Sequence, residues 1–333
     1  MLRRATLVTP HSRMSIDDGG NPRSPRGNDE RRAERLHDIS TLISAHLDDP
    51  SDTIAGLRLF TTDQPGTSTS SVAEASLAFV AQGRKQIAVN DHVWQYGPGD
   101  YLVVSVDLPV TGRFVTANKA EPFLGIGLTL DTAAIAALLL ERDAVDARPT
   151  AIARRPALGV GVASDDLLDA VARLLRLLND RYDRDVLAPL VLREILWRLL
   201  RGPQGDLLRD IATHGSALAQ IGSAVRTIRA HYAEPFRVED LARQAAMSVP
   251  NFHRHFRSAT TMSPIQYQKK IRLQQARLSL YGSSADVTSI AHDVGYGSAS
   301  QFSREYRREY GLSPVQDAAR TRRPGNPQTL TGL

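Results

Sequence analysis

The chain is predicted to be an α+β protein of several domains. A β-rich N-terminal half leads through a helical middle to an all-α C-terminal domain with two helix-turn-helix units. Three observations predict this. One helix-turn-helix pattern occurs twice in the last hundred residues, short strand-like runs separated by turn residues occupy residues 76–130, and the charge changes sign between them.

The C-terminal repeat is the most specific of the three. The first copy spans Val238–Phe256 and the second Val287–Tyr306. Each has a short apolar helix, a turn of small residues and a second helix with polar and basic side chains on its outer face. Ala242 corresponds to Ala291, where a small residue lets the two helices approach. Phe252 and Phe256 correspond to Phe302 and Tyr306, an i, i+4 pair that anchors the second helix inward. Arg254 corresponds to Arg304, and Ser248 to Ser298 at the helix cap. The offset between copies is 49 or 50 residues, so one loop is longer by a single residue. A second helix of this kind fits the major groove of duplex DNA, and two in one chain imply an extended site on double-stranded DNA. The outward residues are then Asn251, His253, Arg254 and Arg257 in the first unit. In the second they are Ser300, Gln301, Ser303 and Arg304. Pro250 at the start of the first recognition helix offers no donor.

Between the copies, Ser263 caps and Pro264 opens a helix running to Tyr281. About 17 residues at 1.5 Å each give roughly 26 Å, a rod able to hold two recognition helices near one turn of DNA apart. Charge agrees. Residues 222–333 hold 16 Arg and Lys against 8 acids, whereas residues 36–221 hold 17 against 23. The positive charge lies where phosphates would be met.

In the N-terminal half, Ser76–Val80, Arg84–Val89, His92–Tyr96, Tyr101–Val106, Arg113–Ala117 and Phe123–Leu130 are short β-rich runs. Gly, Asn-Asp and Gly-Pro-Gly-Asp separate several of them, which suggests a sandwich or barrel. Asp131 caps a helix over Thr132–Arg142. Asp165–Asp180 and Asp185–Arg201 read as a leucine-lined helical hairpin suited to packing against a second subunit. Gly202–Gly205 marks a hinge and residues 206–220 a connecting helix. The first 30 residues lack apolar periodicity and read as disordered. The native start is Met1 or Met14. The divisions are therefore 1–30, an unstructured segment; 31–145, a regulatory barrel; 146–220, a helical dimerisation and linker region; 221–320, the DNA-binding domain; and 321–333, a loose tail. Residues 31–201 and 222–320 are expected to be separable.

The segment Gly295–Pro314 resembles the signature of AraC/XylS-type transcriptional regulators, a resemblance covering roughly residues 222–320. Phe79–Lys85, Tyr96–Gly112 and Glu121–Pro122 resemble the N-terminal domain of one subgroup of that family. The resemblance implies a cupin-like barrel joined to the DNA-binding domain. It also implies activation of nearby metabolic or oxidoreductase genes through RNA polymerase, with an effector that is an aldehyde or another carbonyl compound. Cysteine is absent from the chain. That removes disulfides, thiolate metal sites, thiol redox sensing and the alkyl-accepting repair proteins that carry a similar DNA-binding unit.

A metalloenzyme, a cupin-type catalyst fused to a DNA-binding domain, would need clustered histidines. The strand-like runs offer only His92, beside Asp91, while His37 and His46 lie in a helix-like segment ahead of them at a nine-residue spacing that does not share a face. No catalytic residues, metal or cofactor are expected. A ligand would be held inside the barrel, with Phe79, Trp94 and Tyr96 as candidate lining residues that serve equally well as core. The pattern also fits a repressor, or a constitutive DNA-binding protein whose barrel only dimerises. No segment approaches the 18 apolar residues of a membrane span, and no secretory signal is present, so a cytoplasmic homodimer without membrane association is expected.

Overall fold

The structure, a computed structural model, describes residues 6–7, 25–47, 53–66, 69–142, 156–213, 216–282 and 286–321. Among the described residues, ten strands form two five-stranded sheets. The first sheet has the order β1-β6-β5-β8-β3, from Thr6–Leu7, His92–Tyr96, Arg84–Val89, Leu108–Thr116 and Thr69–Ala73. The second has the order β10-β7-β4-β9-β2, from Leu158–Val162, Asp100–Val104, Ser76–Gln82, Phe123–Thr129 and Leu57–Thr62. Each of these pairings is antiparallel except β1 with β6.

Strand alternation sorts the apolar side chains into two layers. Ile87, Val89, Trp94, Tyr96, Leu108 and Val110 of the first sheet meet Val80, Leu102, Val104 and Phe123 of the second between the sheets. The other face of the second sheet presents Leu77, Phe79, Tyr101, Val103, Leu124 and Ile126 to a helical layer. That layer contains α1 (Pro25–Ala45), α2 (Thr132–Arg142), α3 (Asp165–Arg176), α4 (Arg181–Leu200) and α5 (Gly205–Ala212).

The structure corrects several expectations. Within the first 30 residues, Thr6–Leu7 add to the open edge of β6 and α1 begins at Pro25, because an edge strand offers unpaired backbone groups to any neighbouring segment. Residues 8–24, like 143–155 and the tail from 322, lie outside the described residues. The single helix expected over 206–220 is two: α5 ends at Ala212, and Ser216 caps α6 (Ala217–Ala230) through the amide of Ala219 at 3.0 Å. A cap side chain that competes for backbone amides starts a new helix rather than extending the old one. In the hairpin, Leu167, Leu168, Val171, Leu174, Leu175 and Leu178 are buried within their own chain. The exposed apolar side chains sit instead on α4, where Tyr182, Val186 and Leu190 follow each other at i, i+4 spacing beside Leu187.

The C-terminal domain contains α6, α7 (Val238–Gln244), α8 (Val249–Thr260), α9 (Pro264–Gly282), α10 (Val287–Asp293), α11 (Ala299–Tyr310) and α12 (Pro314–Thr321). The first unit shares its apolar interior with the space between the sheets. Ile221, Val225, Ile228, Phe252, Phe256 and Tyr267 form one continuous core with Val106, Leu108 and Ala157. Polar ties reinforce it. Arg229 pairs with Asp107 at 2.5 Å and Glu74 at 2.8 Å, the Tyr267 hydroxyl donates to the Asp107 carbonyl, and the Ala157 amide donates to the Ala259 carbonyl. The second unit has its own core of Leu273, Ala276, Ile290, Val294, Tyr296, Phe302 and Tyr306. The seam of separation thus runs between the two units as much as between the β domain and the first of them.

Candidate nucleic-acid interface

The two units are the same structure built twice. In the first turn Ala246 is left-handed, its amide bonding the Arg243 carbonyl while Met247 bonds the Ala242 carbonyl. In the second, Gly295 is left-handed at φ +86°, its amide bonding His292 while Tyr296 bonds Ala291. These pairs keep the 49-residue offset. From Ser248 and Ser298 onward the offset is 50, so the inserted residue is Gly297, placed after the shared hydrogen-bonded turn.

The recognition helices α8 and α11 then run in register. Phe252, Phe256, Phe302 and Tyr306 are wholly buried. Asn251, His253, Arg254, Arg257, Ser300, Gln301 and Arg304 are exposed, and Ser303 is half-buried. The helices end alike, at left-handed Thr261 and Gly311, whose amides bond Arg257 and Arg307 at 2.8 Å. The caps differ at the start. Ser298 accepts from the Gln301 amide, whereas the Ser248 side chain makes no cap bond, so Ser248 is a cap by position only. Pro250 removes one of the amide donors a cap side chain would reach.

The repeat extends past the recognition helices. Ser263-Pro-Ile-Gln266 and Ser313-Pro-Val-Gln316 are both reciprocal capping boxes, each serine hydroxyl accepting from the glutamine amide and each glutamine side chain accepting from the serine amide. The second box places Asp317, 2% exposed, among Arg277 at 2.9 Å and the hydroxyls of Tyr306 at 2.7 Å and Tyr281 at 3.1 Å. The repeated Ser-Pro-x-Gln at a 50-residue offset is the sequence signal that marks these boxes. Glu305 is likewise hidden in the sequence. It accepts from Lys269, from the Tyr296 hydroxyl and from Gln301 at 3.2 Å. Burial pushes its carboxyl up, but these hydrogen bonds prevail and hold it below the usual carboxylate range.

The outward faces are chemically ready. Arg304 is exposed and, among the described residues, makes no ion pair with Asp293, the intramolecular partner that would compete with DNA. Arg254 donates to the Asn251 side chain at 2.5 Å, which presents an amide and a guanidinium together. Arg307 and Arg308 are also exposed on α11 and extend the positive face. Arg272 on α9 fixes one unit against the other. Its guanidinium donates to the carbonyls of Tyr232 and Ala233 and to that of Gly295 in the second turn.

The candidate ligand residues do not form one lining. Trp94 and Tyr96 face the space between the sheets, but Phe79 faces the helical layer. On β4 the side chains alternate, and Leu77 and Phe79 fall on the side opposite Ala78 and Val80.

Comparison with known proteins gives the same division. The family described as "AraC-type transcriptional regulator N-terminus" matches residues 53–207, and the family described as "Helix-turn-helix domain" matches residues 241–320. The chain belongs to the AraC/XylS family of transcriptional regulators, with an AraC-type N-terminal domain. The HTH-type transcriptional activator RhaS of Salmonella agona (strain SL483) is 33% identical over 153 residues, 45% of this chain and 54% of that protein. RhaS of Klebsiella pneumoniae (strain 342) is 32% identical over 123 residues, 37% of this chain and 44% of that protein. The chain spans about half the length of the curated relatives it matches. Apo ToxT from Vibrio cholerae strain SCE256 superposes with a TM-score of 0.51 at 8% identity, over 79% of this chain and 97% of that one, a similarity of fold alone.

Proposed function

We propose that the chain is a sequence-specific transcriptional regulator that binds double-stranded DNA through α8 and α11, each in a major-groove segment. The repeat itself carries this reading: two turns with matching hydrogen bonds present two outward faces of Arg, Asn, His, Gln and Ser from buried aromatic anchors. Arg254 and Arg304 read base edges, Arg257 and the arginines at the end of α11 meet phosphates, and Gln301, braced by Glu305, contacts bases. α9, 19 residues long, spans roughly 28 Å and spaces the units along one face of the duplex.

Activation through RNA polymerase is supported by the RhaS relatives, which are transcriptional activators. Homodimerisation is supported by the apolar stripe on α4, where Tyr182, Val186 and Leu190 are 88%, 68% and 61% exposed. A small-molecule effector is assigned to the interior of the β domain, and the compartment is the one that holds the DNA, the cytoplasm. The test is selection of bound sequences from a random duplex pool by the purified chain. Enrichment of a site with two blocks supports the reading, and failure to enrich any sequence contradicts it.

A further inference from the structure

Lys85 and Tyr96 are directly opposed across β5 and β6, and Lys85 is directly opposed to Phe114 on β8. Residues opposed in this way point to the same face of a sheet. Lys85 is 8% exposed and Tyr96 1% exposed. Among the described residues the Tyr96 hydroxyl has no hydrogen-bond partner. Among those same residues the Lys85 amine makes no hydrogen bond and no ion pair; it lies over the Phe114 ring, 5.0 Å from its centre. Gly112, bare of a side chain, lets the Lys85 stem run along β8 toward that ring, since a Cβ there would already touch Lys85 Cε at 3.4 Å.

A buried amine without an anion and a buried hydroxyl without an acceptor both cost folding free energy. Two such groups side by side are a constellation lacking its third member. Burial lowers the amine to about 8, with no charged neighbour contributing, so it remains predominantly charged at neutral pH. The missing member is therefore a hydrogen-bond acceptor of single negative charge. Its surroundings, Ile87, Trp94 and the Phe114 ring, are apolar and suit an organic body rather than phosphate, whose second charge a single amine would leave unpaired.

We propose that the inward face of β5, β6 and β8 binds a small organic carboxylate, the Lys85 amine pairing with one carboxylate oxygen and the Tyr96 hydroxyl donating to the carboxylate. The site has a route to the DNA-reading surface. β5 continues from Lys85 to the turn at Asn90, whose side-chain amide donates to the carbonyl and hydroxyl of Thr261 at 3.0 and 2.9 Å. Thr261 is the residue that ends recognition helix α8. A ligand that shifts the β5–β6 hairpin acts directly on the end of α8. The effector role rests on the regulatory function proposed above; carboxylate binding does not.

The test is calorimetric titration of the full chain with benzoate and hexanoate, each against its neutral amide, benzamide and hexanamide. The same titrations are run on Lys85→Met and Tyr96→Phe, with circular dichroism melts to confirm that both variants fold. At least one carboxylate is expected to bind, with its amide weaker by tenfold or more. Lys85→Met should abolish the preference for the carboxylate and Tyr96→Phe should weaken binding several-fold. Absence of binding by both carboxylates, equal affinity for acid and amide, or unchanged binding by folded Lys85→Met overturns the proposal. A carboxylate that binds through Lys85 in a chain that retains no duplex DNA upholds the site and removes the regulatory function instead.

Discussion

Arg304 and Lys85 pose opposite problems at the residue scale. Arg304 is exposed, and no hydrogen bond or ion pair among the described residues occupies its five donors. An arginine paired to a guanine edge contributes about 1–3 kcal/mol of discrimination. Arg304→Ala is therefore expected to weaken binding to a selected site roughly 5- to 150-fold in gel shifts at fixed salt, with the melting curve unchanged. Unaltered affinity removes Arg304 from the interface. Lys85 is buried, and its amine falls from 10.5 to about 8 through desolvation. Among the described residues the titratable group opposed to it is the Tyr96 hydroxyl, which burial raises, so no carboxylate offsets the cost. Because the folded value is the lower one, the penalty is complete below pH 8. It fades between 8 and 10.5 as the folded state sheds its proton before the unfolded state does. Lys85→Met is expected to stabilise the ligand-free chain at pH 7 by up to about 3 kcal/mol, an advantage that shrinks as the pH is raised through that window. A pH-independent difference between the two chains in chemical denaturation contradicts this account of the amine.

Elements show which features a linear reading reaches. Strands β4 to β7 and β9 are legible because β-rich runs are bounded by turn residues, while β8 is legible only in part: the sequence marks Arg113–Ala117, but the strand begins at Leu108. β3 is not, since Thr69–Ala73 is mostly polar and becomes a strand only by pairing with β8. β2 and β10 are likewise placed by partners far away in sequence, Phe123–Thr129 and Asp100–Val104. The recognition faces are legible because buried aromatics and exposed polar residues alternate at helical spacing. The side of the sheet that Phe79 takes is not, because composition does not say which face of a doubly covered sheet a side chain occupies. The turns of the two units make a mirror-image test. A Cβ on Gly295 would lie 2.1 Å from the Ala233 carbonyl oxygen, at a φ that disfavours any side chain. Gly295→Ala should destabilise the second unit by at least about 2 kcal/mol, and Ala246→Gly should stabilise the first by roughly 0.5–1 kcal/mol. Hydrogen exchange resolved by segment separates the two effects. On α4, Val186→Glu places a charge in the exposed apolar stripe and should shift sedimentation from dimer to monomer while the melting curve stays put. A wild-type chain that sediments as a monomer leaves that stripe without its proposed partner.

For the whole molecule, the arrangement of cores matters more than the count of domains. The first unit is packed into the β domain through Val225, Ile228, Tyr267 and the Arg229 ion pairs, whereas the second hangs from α9 with its own interior. A signal generated between the sheets thus reaches the first unit directly, and the second through α9, the Arg272 hydrogen bonds and the packing of Tyr232 and Ala233 against the second unit. The sign change in charge along the sequence locates the DNA-binding half but not this unequal attachment, which depends on contacts between residues more than a hundred positions apart.

Two equivalent units are proposed to read two separate blocks of one site. Hydroxyl-radical footprinting of the wild type, Arg254→Ala and Arg304→Ala on one selected duplex tests this most directly. Two protected blocks on one face of the duplex are expected. Arg254→Ala should lose protection in one block and Arg304→Ala in the other, each leaving its neighbour protected at a chain concentration that still saturates the site. Equal loss across both blocks from either substitution, or a single undivided block in the wild type, would contradict it.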